Sequence, residues 1–374
     1  MSSLPLIKLF ITGAGGFIGK NLIVRLEEQA VYEISTFVRS DSDEYLADKL
    51  LNVDMVIHLA GENRPDSPEL FNLVNTELTR KIAEILSANS IKIPVIFASS
   101  SQATIDNAYG QSKLAAENIL QSLSLENGNP VTIYRLPGVF GKWCRPNYNS
   151  VVATFCHNIA HGLPLQISDE NTSLSLVYID DVVASIHGVI ENSQAGVNYN
   201  AVNTEYSITL GDLSSQIKAF NNCRTSLVSE RVGVGLVRAL YATYISYLPC
   251  EDFSYEIPSH SDERGIFVEM LKTPDAGQFS YFTAHPGITR GGHYHHTKTE
   301  KFLVIKGDAR FGFRHIVTNE RYTIATSGGV PEIVETVPGW THDVTNVGDE
   351  EMIVMLWANE NFDRQKPDTI TSKV

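Results

Sequence analysis

The chain has 374 residues, 29 Lys plus Arg against 43 Asp plus Glu, and a formal net charge of −14. With 43% hydrophobic and 19% charged residues it can bury sizeable cores and is not a disordered chain, and its length suggests two domains. Both halves are acidic, so a nucleic-acid scaffold is not expected. No apolar run reaches membrane-spanning length, so no membrane partner is expected. The start MSSLPLIKLFITG lacks the basic region and cleavage site of a secretory signal. Cys144, Cys156, Cys223 and Cys250 form no C-x-x-C pair, which fits reduced thiols in a cytoplasmic enzyme.

From residue 5 to about 200, short apolar runs alternate with helix-period stretches. LIKLFITG, EISTFVRS, MVIHLAG, PVIFASS and VTIYRLPG read as buried strands, and KNLIVRLEEQ, LVNTELTRKIAEILSAN and SKLAAENILQSLSLEN as helices. That alternation predicts βαβ units around a parallel sheet. The stretch from Ser40 to Val53 reads as helix, and residues 227 to 249 as a helical bridge. From about residue 250, SYFTAHP, EKFLVIKG, ARFGFRHI, ERYTIAT, EIVETVPG and MIVMLWANE are short strands punctuated by Gly, Pro, Asn and Asp. They predict a small all-β barrel or sandwich. The expected domains are 1–245 and 246–374.

Gly13, Gly16 and Gly19 form a G-x-x-G-x-x-G set after the first strand and at the start of a helix. There the backbone can approach a pyrophosphate, with Phe17, Ile18 and Gly19 opening the helix whose N–H groups hold it. The second strand ends at Arg39, where dinucleotide folds usually carry an acidic residue for the ribose; an Arg suits a 2′-phosphate and points to NADPH. Leu59, Ala60 and Gly61 end the next strand with small residues beside a cofactor. Ser99, Ser100 and Ser101 follow PVIFA, and Tyr109 and Lys113 then stand at i and i+4 on one helix face. A Tyr-Lys pair is commonly a solvated face. After this glycine motif it points to a phenol that protonates a carbonyl oxygen as hydride arrives, with an ammonium to lower its pKa and bind ribose.

TGAGGFIG, HLAG, the serine run, YGQSK, RLPGVFG and VYIDDV, in that order, resemble the extended short-chain dehydrogenase/reductase family over residues 6 to about 245. The resemblance implies a Rossmann-type α/β fold with Tyr109 as catalytic acid, Lys113 as its partner and Ser101 as the substrate-orienting hydroxyl, Ser100 being a close rival. Asn75 matches the family's helix asparagine, with a plain core amide as the alternative. Only eight residues separate Ser101 from Tyr109, fewer than the family usually has. In GKWCRPNYNS, Lys142, Arg145 and Asn147 are candidate diphosphate and sugar contacts, cationic and amide donors suiting phosphate oxygens; a polar surface loop is the alternative.

Seven of the eleven histidines lie after residue 250. His293 and His295 alternate on one strand and share a face, Glu300 can return on the next, and His342 follows in PGWTH. Three imidazoles and a carboxylate suit a divalent metal with open positions. Gly287-x5-His293-x-His295-x4-Glu300-x6-Gly307 resembles the first motif of the cupin family; the second is matched only at Gly339, His342 and Asn346. The resemblance implies a cupin barrel and a metal, zinc foremost. His296 should point the other way. DERGIFVEML and Arg290-Gly-Gly-His293-Tyr294 are also similar to nucleotide-sugar 3,5-epimerases, which would make His293 a base rather than a ligand.

A reductase joined to a barrel suited to deprotonation beside a ketone suggests one 4-keto sugar nucleotide serving both. The whole chain resembles bifunctional enzymes of capsule and O-antigen synthesis. That resemblance implies a UDP-2-acetamido-2,6-dideoxy-4-ketohexose, epimerised at carbon 3 and reduced at carbon 4 by NADPH to UDP-2-acetamido-2,6-dideoxy-L-talose, on the route to UDP-N-acetyl-L-fucosamine. The alternatives are a single-activity reductase with a non-catalytic cupin, and a dinucleotide sensor. His315, Lys301 and Glu269 are epimerase-base candidates by residue type. Open barrel edges suggest a homodimer.

Overall fold

Ile7–Thr12, Met55–His58, Val95–Ser100 and Val131–Leu136 are nearly continuous apolar runs, and they form the centre of a six-stranded parallel sheet. Its order is Tyr32–Phe37, Ile7–Thr12, Met55–His58, Val95–Ser100, Val131–Leu136, Val197–Asn200, every pair parallel. The computed structural model describes residues 5–374 apart from 65, 66, 68, 263, 264, 269, 270, 272–276 and 361–364, with the backbone alone for 259–262, 265–268, 278 and 280. Glu269 and most of DERGIFVEML lie outside the described side chains.

Two compact units emerge, one of residues 1–140 with 174–207, the other of 141–173 with 208–374. In the first, Asp43–Leu50 is helical as its sequence predicts, capped by Ser42, whose hydroxyl accepts from Tyr45 N at 3.2 Å. The sheet therefore ends at Tyr32–Phe37 on that side. Strand order reverses at Ile7–Thr12, so the carboxyl ends of that strand and of Met55–His58 flank the crevice where such sheets bind ligands. Leu78–Ser87 turns Ile82, Ala83 and Leu86 into a core with Phe10, Leu50, Val56, Phe97 and Leu120. Each fully buried side chain of this size contributes about 1.5–3 kcal/mol.

The second unit holds two antiparallel five-stranded sheets. One runs Ser254–Glu256, Glu332–Glu335, Glu300–Lys306, Met352–Ala358, Gln278–Ala284; the other runs Arg321–Ser327, Asp308–His315, Trp340–Asn346, Thr289–Tyr294, Ile370–Thr371. Phe302 of the first sheet packs 5.6 Å from Phe311 of the second. The C-terminal half is thus the all-β fold expected. Helices Leu210–Ser226 and Gly235–Ile245 pack in the same unit, Phe220 lying 5.2 Å from Tyr241. The helix expected over residues 227–249 begins only at Gly235, because Leu227 ends the preceding helix in the left-handed region at φ 58°.

Lys301 alternates with Glu300 on its strand and so points away from the barrel interior. It forms a buried ion pair with Glu335, and its Nζ donates to the Tyr255 hydroxyl at 3.1 Å. Arg224 Nη1 joins Glu335 at 3.0 Å and stacks 4.5 Å above the Tyr255 ring, tying helix to sheet. Burial alone would lower the Lys301 pKa, but the Glu335 charge raises it well above the ordinary value.

Candidate functional site

At the end of the first strand the chain turns at Gly13 with φ +71°; a Cβ there would meet Ala60 N at 2.6 Å and Leu59 C at 2.8 Å. Only glycine lets the two strand ends approach this closely. A Cβ on Gly19 would meet Gly13 O at 2.4 Å, and Gly16 N donates to the same carbonyl at 2.9 Å. Helix Phe17–Glu27 then starts with no side-chain cap on Gly16 and no acidic residue in its first turn. The N–H groups of Phe17, Ile18 and Gly19 therefore have no intrahelical acceptor and suit an anion. Arg39 is exposed and pairs with Glu62 at 3.2 Å.

A directed hydrogen-bond chain underlies this corner. Ala60 N donates to Thr12 Oγ1 at 3.2 Å, Thr12 Oγ1 lies 2.7 Å from His58 Nδ1, and His58 Nε2 lies 2.9 Å from Thr79 Oγ1. Thr79 spends its proton on Asn75 O at 2.7 Å, so it accepts from His58 Nε2–H, and Thr12 donates to Nδ1. His58 is neutral: burial, then the Lys113 charge, lowers its pKa to about 3. Asn75 sits in a π-helical turn, Asn72–Glu77, a type of irregularity frequent at functional sites. Its amide donates to Ser112 Oγ at 2.9 Å and to Glu62 O at 3.0 Å, and its Oδ1 accepts from Glu62 N at 2.8 Å. Those bonds hold the loop after Gly61 against the Tyr109 helix. The neighbours Glu62 and Ser112 carried no signal in the sequence.

Tyr109 and Lys113 lie in helix Ala108–Asn127, as the i, i+4 spacing requires. The Tyr109 ring packs 5.7 Å from Phe71. Burial raises its pKa and a hydrogen bond from Ser100 partly opposes this, so the phenol is a proton donor at neutral pH. Ser101 is exposed, at the start of a 3₁₀ turn, and the hydroxyl that reaches the phenol is that of Ser100, the last residue of the strand. The Lys113 ammonium donates to Ala98 O at 3.0 Å, 5.0 Å from the Phe97 ring, and burial brings its pKa down to about 8 against the pull of Glu117. Lys113 is not among the groups that lower the Tyr109 pKa. The short Ser101–Tyr109 connection is compact because Gly110 lacks a side chain: a Cβ there would meet Gln102 O at 2.2 Å.

Lys142, Arg145 and Asn147 belong to the other unit. Lys142 is buried, its ammonium 5.2 Å from the Trp143 ring, whereas Arg145, stacked 5.1 Å from Tyr148, and Asn147 are exposed. Trp143 lies 5.8 Å from His315, itself 5.1 Å from Trp340.

Inside the barrel, His293, His295, Glu300 and His342 bring their ligand atoms within 4.8 Å of one another. Gly291 and Gly292, at φ +99° and +74°, make the bulge that sets His293 opposite His342, ring centres 4.7 Å apart. Glu300 Oε2 is 3.2 Å from His295 Nε2 and 3.5 Å from His342 Nε2; Oε1 accepts from Lys298 Nζ at 2.6 Å. Burial favours a neutral Glu300, but the facing His295 and His342 rings and the Lys298 charge hold its pKa well below the usual range. Burial, His342 and His295 lower His293 to about 4. His342 is buried, and its Nε2 faces Glu300 Oε2 at a distance too long for a strong hydrogen bond. Three imidazoles and a buried carboxylate converging this closely are the donor set of a divalent cation, so these residues fit a metal. His296 packs on Tyr294, 5.6 Å away, on the other face.

The cage opens into a cavity of about 200 Å³ lined by Phe282, Arg290, His293, Phe302 and His342 among others. That is below the usual ~300–1,000 Å³ of small-molecule sites. Lys301 is turned away from it, and His315 Nδ1 accepts from Val317 N and Thr318 N at 3.2 and 3.0 Å, outside the cavity lining.

Residues 9–204 match the NAD dependent epimerase/dehydratase family and residues 260–370 the polysaccharide biosynthesis C-terminal domain. A UDP-2-acetamido-2,6-beta-L-arabino-hexul-4-ose reductase of Pseudomonas aeruginosa is 55% identical over 98% of this chain and 99% of its own. The chain belongs to the CapF family of nucleotide-sugar 4-keto reductases. The crystal structure of the capsular polysaccharide assembling protein CapF from Staphylococcus aureus is 41% identical, with a TM-score of 0.67 over 98% of this chain and 100% of that one. A structure of CapF with the inhibitor 3-isopropenyl-tropolone is 38% identical, with a TM-score of 0.62 over the same 98% and 100%. Membership makes the chain an oxidoreductase of a nucleotide sugar that uses NAD(P). Among the described residues no helix is long and apolar enough to cross a membrane.

Proposed function

We propose that the chain performs two steps on UDP-2-acetamido-2,6-dideoxy-4-ketohexose: epimerisation at carbon 3 in the barrel, then NADPH-dependent reduction at carbon 4. The product is UDP-2-acetamido-2,6-dideoxy-L-talose. The convergence of His293, His295, Glu300 and His342 beside a cavity carries the epimerase half of this reading. The arabino-hexul-4-ose in the Pseudomonas relative's name supports the substrate class. As functional domains we assign 1–245 to reduction and 246–374 to epimerisation.

In the reductase, bound NADPH supplies the hydride. Gly13, Gly16 and the first-turn N–H groups of Phe17, Ile18 and Gly19 receive its pyrophosphate, Arg39 takes the 2′-phosphate, and Leu59, Ala60 and Gly61 leave room alongside. Tyr109 gives its phenolic proton to the carbon-4 oxygen, Ser100 holds that phenol and Lys113 binds the ribose. Arg145 and Asn147, exposed donors, are the residues of their segment open to a sugar diphosphate.

In the barrel, a divalent metal held by His293, His295, Glu300 and His342 would withdraw electrons from the carbon-4 carbonyl and so acidify carbon 3. Tropolone, in the inhibitor named for CapF, is a vicinal hydroxyketone, a chelating group. The other residues desolvate the sugar ring: Phe282, Phe302 and Phe311 form apolar walls, and Arg290 brings a cation to the rim. His293 is the least buried of the four and lines the cavity, which also suits a base in a metal-free site; the two roles separate by metal analysis. Phe279, Tyr281, Ile305 and Met355 expose an apolar face on the Gln278–Ala284 sheet, the face offered to a second copy in a homodimer. We place the enzyme in the cytoplasm, the source of NADPH and UDP-sugars.

The test is turnover with the UDP-4-ketosugar in deuterated buffer, followed by mass spectrometry and elemental analysis. NADPH oxidation, one zinc-type metal per chain and deuterium at carbon 3 are expected. His293→Ala should retain reduction but give product without inversion at carbon 3. Unchanged stereochemistry in that variant would instead make the barrel a non-catalytic module.

A further inference from the structure

The C-terminal segment runs along the metal-bearing strand. Ile370 and Thr371 pair with Tyr294 and His293, and Ser372 N donates to Gly292 O at 2.9 Å. Just before this pairing, Asp368 meets the turn that follows His295. Its Oδ1 accepts from His296 N at 2.8 Å, and its Oδ2 from Thr297 N at 2.7 Å, Lys298 N at 2.8 Å and Thr297 Oγ1 at 3.0 Å. Three consecutive backbone N–H groups thus converge on one carboxylate, an anion nest filled from within the chain. The backbone carbonyl of the same residue accepts from His295 Nδ1.

That last contact decides which nitrogen of His295 is bare. A neutral imidazole carries one proton; with Nδ1 donating to a carbonyl, the Nε2 lone pair is presented to the cage, 3.2 Å from Glu300 Oε2. A lone pair and a carboxylate oxygen this close are held together by a cation or a proton between them. Metal-ligating histidines depend on such partners for orientation and tautomer, and losing one typically lowers metal affinity 10–100-fold.

We infer that Asp368 is a positioning residue of the barrel cage: its carboxylate fixes the 296–298 turn, its carbonyl fixes the His295 tautomer, and the C-terminal segment thereby sets metal affinity. The inference rests on the metal reading proposed above. The turn has further ties, to Arg238 through Thr297 Oγ1 and to Asn359, whose Oδ1 accepts from Thr299 N at 2.9 Å. Removing the carboxylate therefore loosens the turn without releasing it.

The full chain, stripped of metal, is titrated with zinc against a chromophoric chelator, with circular dichroism as the check on folding. Wild-type protein should bind one zinc per chain. Asp368→Ala should bind it 10–100-fold more weakly, and Asp368→Asn should fall between, because its amide oxygen still accepts from part of the nest. Excess zinc should restore deuterium incorporation at carbon 3 in Asp368→Ala, which a purely structural defect would not allow. If Asp368→Ala does not fold, the same titration of Asp368→Asn decides. Wild-type zinc affinity in the folded variants would overturn the role of Asp368 alone. Failure of the wild-type chain to bind zinc would overturn the metal reading and this inference with it.

Discussion

Gly61→Ala isolates the placement of the Lys113 ammonium. The new methyl would stand 2.9 Å from Lys113 Nζ and 3.2 Å from Asn75 Oδ1, where ordinary contact begins at 3.4 Å. Gly61 is outside the left-handed region, so the backbone accepts alanine and the whole effect falls on these side chains. The ammonium, the free end of a flexible side chain, must shift by roughly 0.5 Å, and a shift away from Ala98 O stretches its 3.0 Å bond to the edge of ordinary hydrogen-bond range. A hydrogen bond to a charged group is worth about 1.5–3 kcal/mol, which corresponds to roughly 10- to 150-fold in rate. The assay is kcat/KM for NADPH oxidation with the 4-ketosugar nucleotide, alongside solvent deuterium exchange at carbon 3. Reduction should fall by that factor while exchange is unchanged. Wild-type kcat/KM in Gly61→Ala would refute the dependence of reduction on this ammonium position.

Three further outcomes follow from the same contacts. Ser100→Ala should slow reduction roughly tenfold, the worth of one hydrogen bond to the reacting phenol, while Ser101→Ala stays within about twofold; the reverse order would reinstate Ser101. Because the Lys113 ammonium titrates at about 8 in the cofactor-free site and the Tyr109 pKa is raised, kcat/KM for NADPH should fall as pH rises through about 8. Lys113→Arg, charged throughout, should move that fall upward, and a profile flat in both proteins contradicts the assignment. Glu335→Gln leaves Lys301 and Arg224 without their buried partner and should cost about 3–5 kcal/mol in denaturant unfolding. The double variant Lys301→Met, Glu335→Leu removes one of the two stranded cations and should recover part of that loss, and a single variant as stable as wild type would show the pair to be dispensable.

Much of the fold was legible because periodicity and punctuation agree with burial. The strand PVIFASS, the helix SKLAAENILQSLSLEN and the Ser40–Val53 helix all lie where their patterns place them. The placement of Tyr109 and Lys113 was legible because i, i+4 spacing fixes a shared helix face, and the convergence of His293, His295, Glu300 and His342 because alternation fixes which strand residues face inward. What escaped depends on contacts remote in sequence. Ser100 and Ser101 are neighbours of one type, and only the point where strand gives way to 3₁₀ turn separates their directions. Lys301 and Glu300 differ by one position and face opposite sides, which residue type alone does not tell. Asp368 stands about seventy residues from the histidine it serves, in KPDT, with no periodic signal. The helix expected at the start of the 227–249 stretch was overridden by Leu227, which ends the preceding helix in a left-handed conformation.

Tyr109→Phe tests most directly whether reduction and carbon-3 exchange occupy separate sites. The variant is incubated in deuterated buffer with NADPH and the UDP-4-ketosugar, and NADPH absorbance and deuterium at carbon 3 are followed together. Two independent sites require NADPH oxidation to stop while deuterium enters at the wild-type rate. Equal loss of both would mean that one site performs both reactions.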